Sequence, residues 1–219
     1  MAPRKSTSSS DSAIATADEP VRQTQAERRE IAERAILNAA KKIVAERGLD
    51  ALTLNEAGEA AGYSRALPAH YFGSKSQLIA ALADYIIADY AARLTIASAN
   101  ATGLDRLMTR VAFYVDDASH EPEGFRAFHI ILGGAVTSPE LLPLVARLNR
   151  ESIDGMGSLI KEARDAGDVR ADARPRAEAS IILAAMRGVM FQWLIDPTYV
   201  RLSTVRDALL ARIRTSLAP

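Results

Sequence analysis

Between Leu52 and Leu78 the apolar positions fall into two short helical runs parted by a glycine-centred polar break, and a third run opens directly behind them. Leu54, Ala57, Ala60 and Ala61 make the apolar side of the first run. Thr53 at its head accepts from the third backbone N–H while Glu56 reaches back to the Thr53 N–H, a capping box that starts a helix at Leu54. Gly62-Tyr63-Ser64 forms the turn, with Gly62 supplying the backbone freedom of a sharp reversal. Ser64 is a good N-cap for a helix from Arg65 onward, and Ser74 with Gln77 makes another capping box after Phe72 and Gly73. Two short helices around such a turn are a helix-turn-helix, which needs a longer helix to brace it. Ile36, Leu37, Ala40, Ile43 and Val44 recur at helical spacing opposite Glu33, Arg34, Lys41 and Lys42, until Gly48 ends the run. The brace thus spans roughly Gln25 to Arg47, and Lys41 and Lys42 are assigned to its solvated face.

After Gln77 the pattern stays helical. Helices are expected from Leu78 to about Ala97, from Leu104 to about Ala118, and onward from Glu121-Pro122. A further one opens at Ser138-Pro139 and closes near Gly167, with Pro143 and the pair Gly155 and Gly157 as interruptions. From Pro175 to Leu194 the chain is apolar nearly all round, which a helix tolerates only when it is covered on two sides. The last helix carries Leu202, Val205, Leu209, Ile213 and Leu217 at spacings of three and four, with arginines opposite. No strand alternation and no tandem repeat occurs. The most apolar stretch, Ile181 to Ile195, contains Arg187 and Gln192 and is shorter than the roughly 20 residues a bilayer requires, so no membrane span is expected.

Composition narrows the picture. The 219 residues are 48% hydrophobic, enough for one small and one larger domain. Residues 1–24, rich in Ser, Thr, Ala and Pro without an apolar run, are expected to be a disordered tail, and Ala13 to Ala17 is too short for the core of a signal peptide. With no cysteine, neither a disulfide nor a Cys-ligated zinc site contributes, which fits a reducing cytoplasm. The 27 basic and 27 acidic residues cancel, and from Ala26 to Ser76 there are 8 of the former and 7 of the latter. Binding of nucleic acid by bulk charge is therefore excluded; it has to come from local placement and from two copies, with modest, salt-dependent electrostatic affinity.

Residues 34–78 resemble the DNA-binding domain of the TetR family of transcriptional repressors. The resemblance rests on Ile36-Leu37, Ala39-Ala40, Glu46, Gly48, Thr53, Glu56, Ala60-Ala61-Gly62, Ser64-Arg65 and Phe72-Gly73-Ser74-Lys75, in that order and spacing. It implies an all-α chain, with a three-helix helix-turn-helix DNA-binding domain at 25–78 and a larger helical ligand-binding and dimerisation domain at 79–219. Several positions depart from the common pattern: Ala66 stands where a glycine is usual, Tyr63 where a small aliphatic is usual, and Ala57-Gly58 where Ile-Ala is usual. Pro68 inside the recognition helix predicts a late start or slight kink.

The N-terminal side chains of a recognition helix face base edges in the major groove, and Arg65 is the one donor fork there able to pair with guanine O6 and N7. Ala66, Leu67 and Ala69 offer apolar contact to a thymine methyl, and Tyr63 lies against sugar or base. Thr53, Ser64, His70, Tyr71 and Lys75 sit at helix ends or on the flank, where they position phosphates. Capping explains Thr53 and Ser64 equally well, and packing is the alternative for Tyr71. Arg4 and Lys5 are either a minor-groove arm or an inert tail.

The resemblance further implies a homodimer formed through the last two helices, about 175–194 and 202–217. Its two reading helices would lie about 34 Å apart, one turn of double-stranded DNA, or somewhat more, on a near-palindromic operator. A small-molecule effector is implied within the larger domain. Phe113, Tyr114, Phe125, Phe128, His129, Met186, Met190 and Trp193 are the apolar and aromatic material for its pocket, which suits an apolar or aromatic ligand. Core packing is the alternative for each, and for His129 a hydrogen-bonded core histidine. His70, His120 and His129 lack metal-ligand spacing, and neither a Gly-rich phosphate loop nor a nucleophile elbow occurs, so no enzyme activity, cofactor or metal is expected. The alternative function is a helical small-molecule-binding protein of the same fold without sequence-specific DNA binding.

Overall fold

The computed structural model describes residues 24–219, so the expectations for residues 1–23, including Arg4 and Lys5, lie outside the described residues. Nine helices and no strand occur among those described. Helix α1, Gln25–Ala51, is opened by a capping box in which Thr24 accepts from Glu27 and Glu27 reaches back. It is helical up to Gly48, whose φ of 84° and ψ of 177° break the run before the short turn to Ala51. Ile36, Ala40, Ile43 and Val44 face the core as the spacing predicts. Helices α2 (Leu54–Ala60) and α3 (Leu67–Phe72) follow, then α4 (Lys75–Ala97), started by the Ser74–Gln77 capping box.

The larger part is built from α5 (Gly103–His120), α6 (Pro122–Gly134), α7 (Leu142–Asp165), α8 (Pro175–Ile195) and α9 (Leu202–Leu217). Ser138-Pro139 does not open α7. The Ser138 carbonyl instead closes a turn by accepting from the Leu142 N–H at 3.1 Å, and the helix begins there. Pro143 then falls in the first turn, where a missing N–H costs nothing. Gly155 and Gly157 leave α7 unbroken, and Gly157 faces the start of α8.

Two hydrophobic cores result. Val111, Val115, Ile160, Met190 and Leu217 centre one among α5, α7, α8 and α9. Ile36, Leu52, Leu78, Leu82 and Ile131 centre the other, which joins α1, α2 and α4 to α6 and the start of α7. The second core matters for function because α6 rests directly on the brace of the helix-turn-helix. Helix α8 is 21 residues long and holds an 18-residue stretch with a mean hydropathy of 1.3, long and apolar enough to cross a bilayer by length and composition, contrary to the shorter span judged from sequence. Here it packs as a core helix through Ala179, Ile182, Leu183, Met186 and Met190.

Candidate functional site

The head is assembled from backbone capping and one close approach. The Thr53 hydroxyl accepts from the Glu56 N–H at 3.1 Å and caps α2. The return half of the expected capping box is absent, because the Glu56 carboxylate pairs with Arg47 at the end of α1 and so ties the brace to α2. Ala60 is exposed, and Gly58 takes the buried position beside Ala57. Gly62, at φ 78°, makes the turn, closed by the Tyr63 N–H donating to the Gly58 carbonyl at 2.9 Å. Ser64 does not cap with its side chain: its carbonyl accepts from Leu67 at 3.1 Å, and α3 starts there with Pro68 in its first turn.

The late start and the departure at Gly58 are one packing solution. A Cβ at Gly58 would lie 2.7 Å from the Ser64 carbonyl oxygen and 2.9 Å from Pro68 Cδ, so only glycine admits the proline ring there. The outward surface presents Thr53, Tyr63, Ser64, Arg65, Ala66, Ala69 and His70, while Leu67, Tyr71 and Lys75 are half-buried. Leu67 leans on the second core, and Lys75 Nζ donates to the Asp50 carbonyl at 3.4 Å. Arg65 pairs with Glu59 at 2.8 Å. Both side chains are mostly exposed, 69% and 61%, so the pair is cheap to release. Sequence spacing hides this partner because the turn intervenes. Arg29, also not singled out by the sequence, lies 5.3 Å above the Tyr71 ring and steadies it from the brace.

A cavity of about 320 Å³ opens between α4, α5, α6, α7 and α8, with Lys41 of α1 in its wall. Of the residues singled out by sequence, Tyr114, Phe125, Phe128 and Met186 line it, whereas Phe113, His129, Met190 and Trp193 do not. Phe113 packs at a tilt against Tyr90, which does line it, with ring centroids 5.4 Å apart. Met190 is fully buried in the first core, and Trp193 packs against the same core. Lys41, assigned to a solvated face, is instead largely buried and bonds Glu121 of the cavity wall at 2.6 Å. Its signal was absent because partners 80 residues apart leave no local pattern.

His129 stands behind the cavity as a buried dyad partner. Its Nδ1 lies 2.9 Å from the Phe125 carbonyl, which only accepts, so Nδ1 carries the proton. Nε2 then accepts from the Tyr114 hydroxyl at 2.9 Å. Burial pushes this imidazole down to about 4, the nearby Arg187 charge adds to the shift, and the bond to Phe125 only partly opposes it. Burial also raises the Tyr90 and Tyr114 phenols and lowers the Arg187 guanidinium. Arg93 on α4 bonds Asp89 at 2.9 Å and pairs with the buried Asp117 of α5.

One face of α8 is left uncovered by the described residues. Ala177, Ile181, Ala184, Gly188, Phe191 and Ile195 recur at spacings of four and three and are all exposed, Ile181 by 65% and Ile195 by 82%. A Cβ at Gly188 would meet nothing within 4 Å. Helix α9 lies alongside, held to α5 by Arg206 bonding both oxygens of Asp116 at 2.8 and 3.0 Å.

Comparison with known proteins agrees with this arrangement. Residues 36–82 match the model of bacterial regulatory proteins of the tetR family, and residues 103–218 match the C-terminal domain of BetI-type transcriptional repressors. The HTH-type transcriptional regulator BetI of Rhizobium meliloti (strain 1021) is 32% identical over 126 residues, 55% of this chain, and the match spans only 61% of that relative's length. A TetR-family transcriptional regulator from Rhodococcus sp. superposes with a TM-score of 0.78 at 23% identity, covering 86% of this chain and all of that one. A transcriptional regulator from Saccharomonospora viridis in complex with choline gives 0.76 at 17% identity, over 87% of this chain and 99% of that one. The SmeT–triclosan complex gives 0.73 at 22% identity, over 86% and 92%. Matched through both its helix-turn-helix head and its C-terminal domain, the chain belongs to the TetR family of bacterial transcriptional regulators.

Proposed function

We propose that this regulator is a repressor that binds a near-palindromic operator as a homodimer and releases it when a small effector with an apolar or aromatic body fills the cavity. Arg65 is the base reader, set free when guanine displaces Glu59. Tyr63, Ala66, Leu67 and Ala69 supply apolar contact, and Thr53, Ser64, His70, Tyr71 and Lys75 position the backbone. The exposed stripe of α8, continued by α9, meets its two-fold copy, since an apolar face of this length is otherwise left in water. The complexes of the Saccharomonospora regulator with choline and of SmeT with triclosan support a small-molecule effector for this fold, of unlike chemistry in the two cases.

The observation that carries the regulatory reading is Lys41. It belongs to the brace of the reading head, yet it forms part of the cavity wall through its bond to Glu121. A ligand that displaces Glu121 or Phe125 therefore acts on α1 through contact, and the head separation changes with it. A second reading, a ligand binder of the same fold without sequence-specific DNA binding, draws on Glu59, which neutralises the one donor fork of the reading surface.

Fluorescence anisotropy against duplex DNA from the gene's own upstream region separates the two. Selective binding that weakens with salt is expected of the repressor. Equal binding to scrambled duplex, or none at any salt, favours the second reading.

A further inference from the structure

The charged groups of the cavity are unevenly paired. Four acidic side chains line it, and each has a basic partner: Glu121 with Lys41, Asp89 and Asp117 with Arg93, and Glu151 with Arg147. Two basic ones, Arg110 and Arg187, have no carboxylate within 4.0 Å among the described residues. Arg187 is the costlier of the two. It is largely buried, its hydrogen-bond partners are the neutral Asn149 Oδ1 and the Tyr114 hydroxyl oxygen, and its Nε has no partner among the described residues. The groups beside it are also neutral: His129 holds its single proton on Nδ1, and Tyr114 spends its hydroxyl hydrogen on His129. A guanidinium removed from water without a counter-ion leaves most of its desolvation penalty unpaid, and an anion delivered to the cavity relieves it.

Resting on the reading of this cavity as the effector site, we propose that the effector is an organic anion: a carboxylate on an apolar or aromatic body. The carboxylate pairs with Arg187, with Arg110 adding attraction from α5, because a guanidinium fork matches a carboxylate edge-on. The body lies among Tyr90, Tyr114, Phe125 and Phe128. A simple quaternary ammonium ion is disfavoured despite those rings. Every carboxylate it would need is already held by a basic partner, and two unpaired guanidiniums repel it. The volume of about 320 Å³ is at the small end for ligand pockets, so one headgroup and one ring or short chain fill it.

The test is calorimetric titration and thermal shift of the full chain with a matched series: 4-phenylbutanoate, its methyl ester, 4-phenylbutanol and 4-phenylbutylamine, with octanoate, octanol and choline beside them. The carboxylates are expected to bind at least tenfold tighter than their neutral and cationic counterparts. Arg187→Met is expected to remove that preference while the ester binds as before, and Arg187→Lys to keep part of it, with circular dichroism checking that both variants fold. Tighter binding of the ester, alcohol, amine or choline than of the carboxylates overturns the anion proposal and leaves the effector cavity standing. Failure of every probe to bind overturns both. The ranking on the unaltered protein decides even if Arg187→Met does not fold.

Discussion

Replacing Gly58 with alanine probes how the reading head is built. The added methyl would sit 2.7 Å from the Ser64 carbonyl oxygen and 2.9 and 3.0 Å from Pro68 Cδ and Cγ, where ordinary contacts to carbon are about 3.5–4.0 Å. Neither neighbour yields by rotation, since one is backbone and the other a closed ring. Helix α3 must therefore move by several tenths of an ångström away from α2. Overpacking of this kind costs about 1–3 kcal/mol, and rigid neighbours place it at the upper end. Alanine returns about 1 kcal/mol of helix propensity inside α2. The net destabilisation is about 2 kcal/mol, a fall in Tm of about 4–8 °C for a chain of this size. Calorimetry on Gly58→Ala, Pro68→Ala and the double variant measures it. The double variant should recover part of the loss, but not all, because the Ser64 carbonyl remains. A higher Tm in Gly58→Ala, with DNA affinity unchanged, would refute the close packing as the reason for the glycine.

Further consequences are equally direct. Arg65→Ala should lose about 1–3 kcal/mol of discrimination between upstream and scrambled DNA in anisotropy titrations, whereas Lys75→Ala should weaken both alike; unchanged specificity in Arg65→Ala removes it as the base reader. His129 is held neutral in the fold with a pKa of about 4, while in the unfolded chain it takes up a proton near 6.5, so its contribution is complete above pH 6.5 and is lost progressively as pH falls to 4, by about 3 kcal/mol. Urea melts between pH 6.5 and 5 should show that slope, and His129→Gln should flatten it. Asp117→Ala strips Arg93 of its buried partner, but Arg93 is part-exposed and keeps Asp89, so the loss in the same melts should be about 1.5–3 kcal/mol; no measurable loss would mean the pair is incidental. Ile181→Glu, on a face exposed within the protomer, should leave the fold intact and give a monomer by sedimentation, and a persisting dimer would place the interface elsewhere.

Local signals carried the architecture and faded where distant partners decide. Thr53, Ser74 and Gly62 mark helix starts and a turn through interactions within three residues, so the helix-turn-helix is legible in the sequence alone. Glu56 shows the limit: its spacing to Thr53 suits a capping box, but Arg47 is the stronger partner for a carboxylate and wins it. Pro139 reads as a helix start and Pro143 as an interruption, but the Ser138–Leu142 turn moves the start to Leu142 and leaves Pro143 in the first helical turn. The cavity was half legible. Its aromatic members stand out by composition, but Arg110, Arg187 and Lys41 resemble any surface basic residue until folding brings α1, α5 and α8 to one wall. Met190 and Trp193 went the other way, since apolar side chains at helical spacing serve a core as readily as a pocket.

The proposed repressor is a two-fold reader with two heads on one operator. Footprinting of the full chain on its own upstream DNA tests it most directly, read beside the protein-to-DNA stoichiometry from sedimentation. Two protected half-sites of related sequence are expected, centred about 34 Å apart or slightly more, held by two protomers and deprotected together as salt rises. A single protected half-site held by one protomer, or uniform protection without sequence preference, would contradict it.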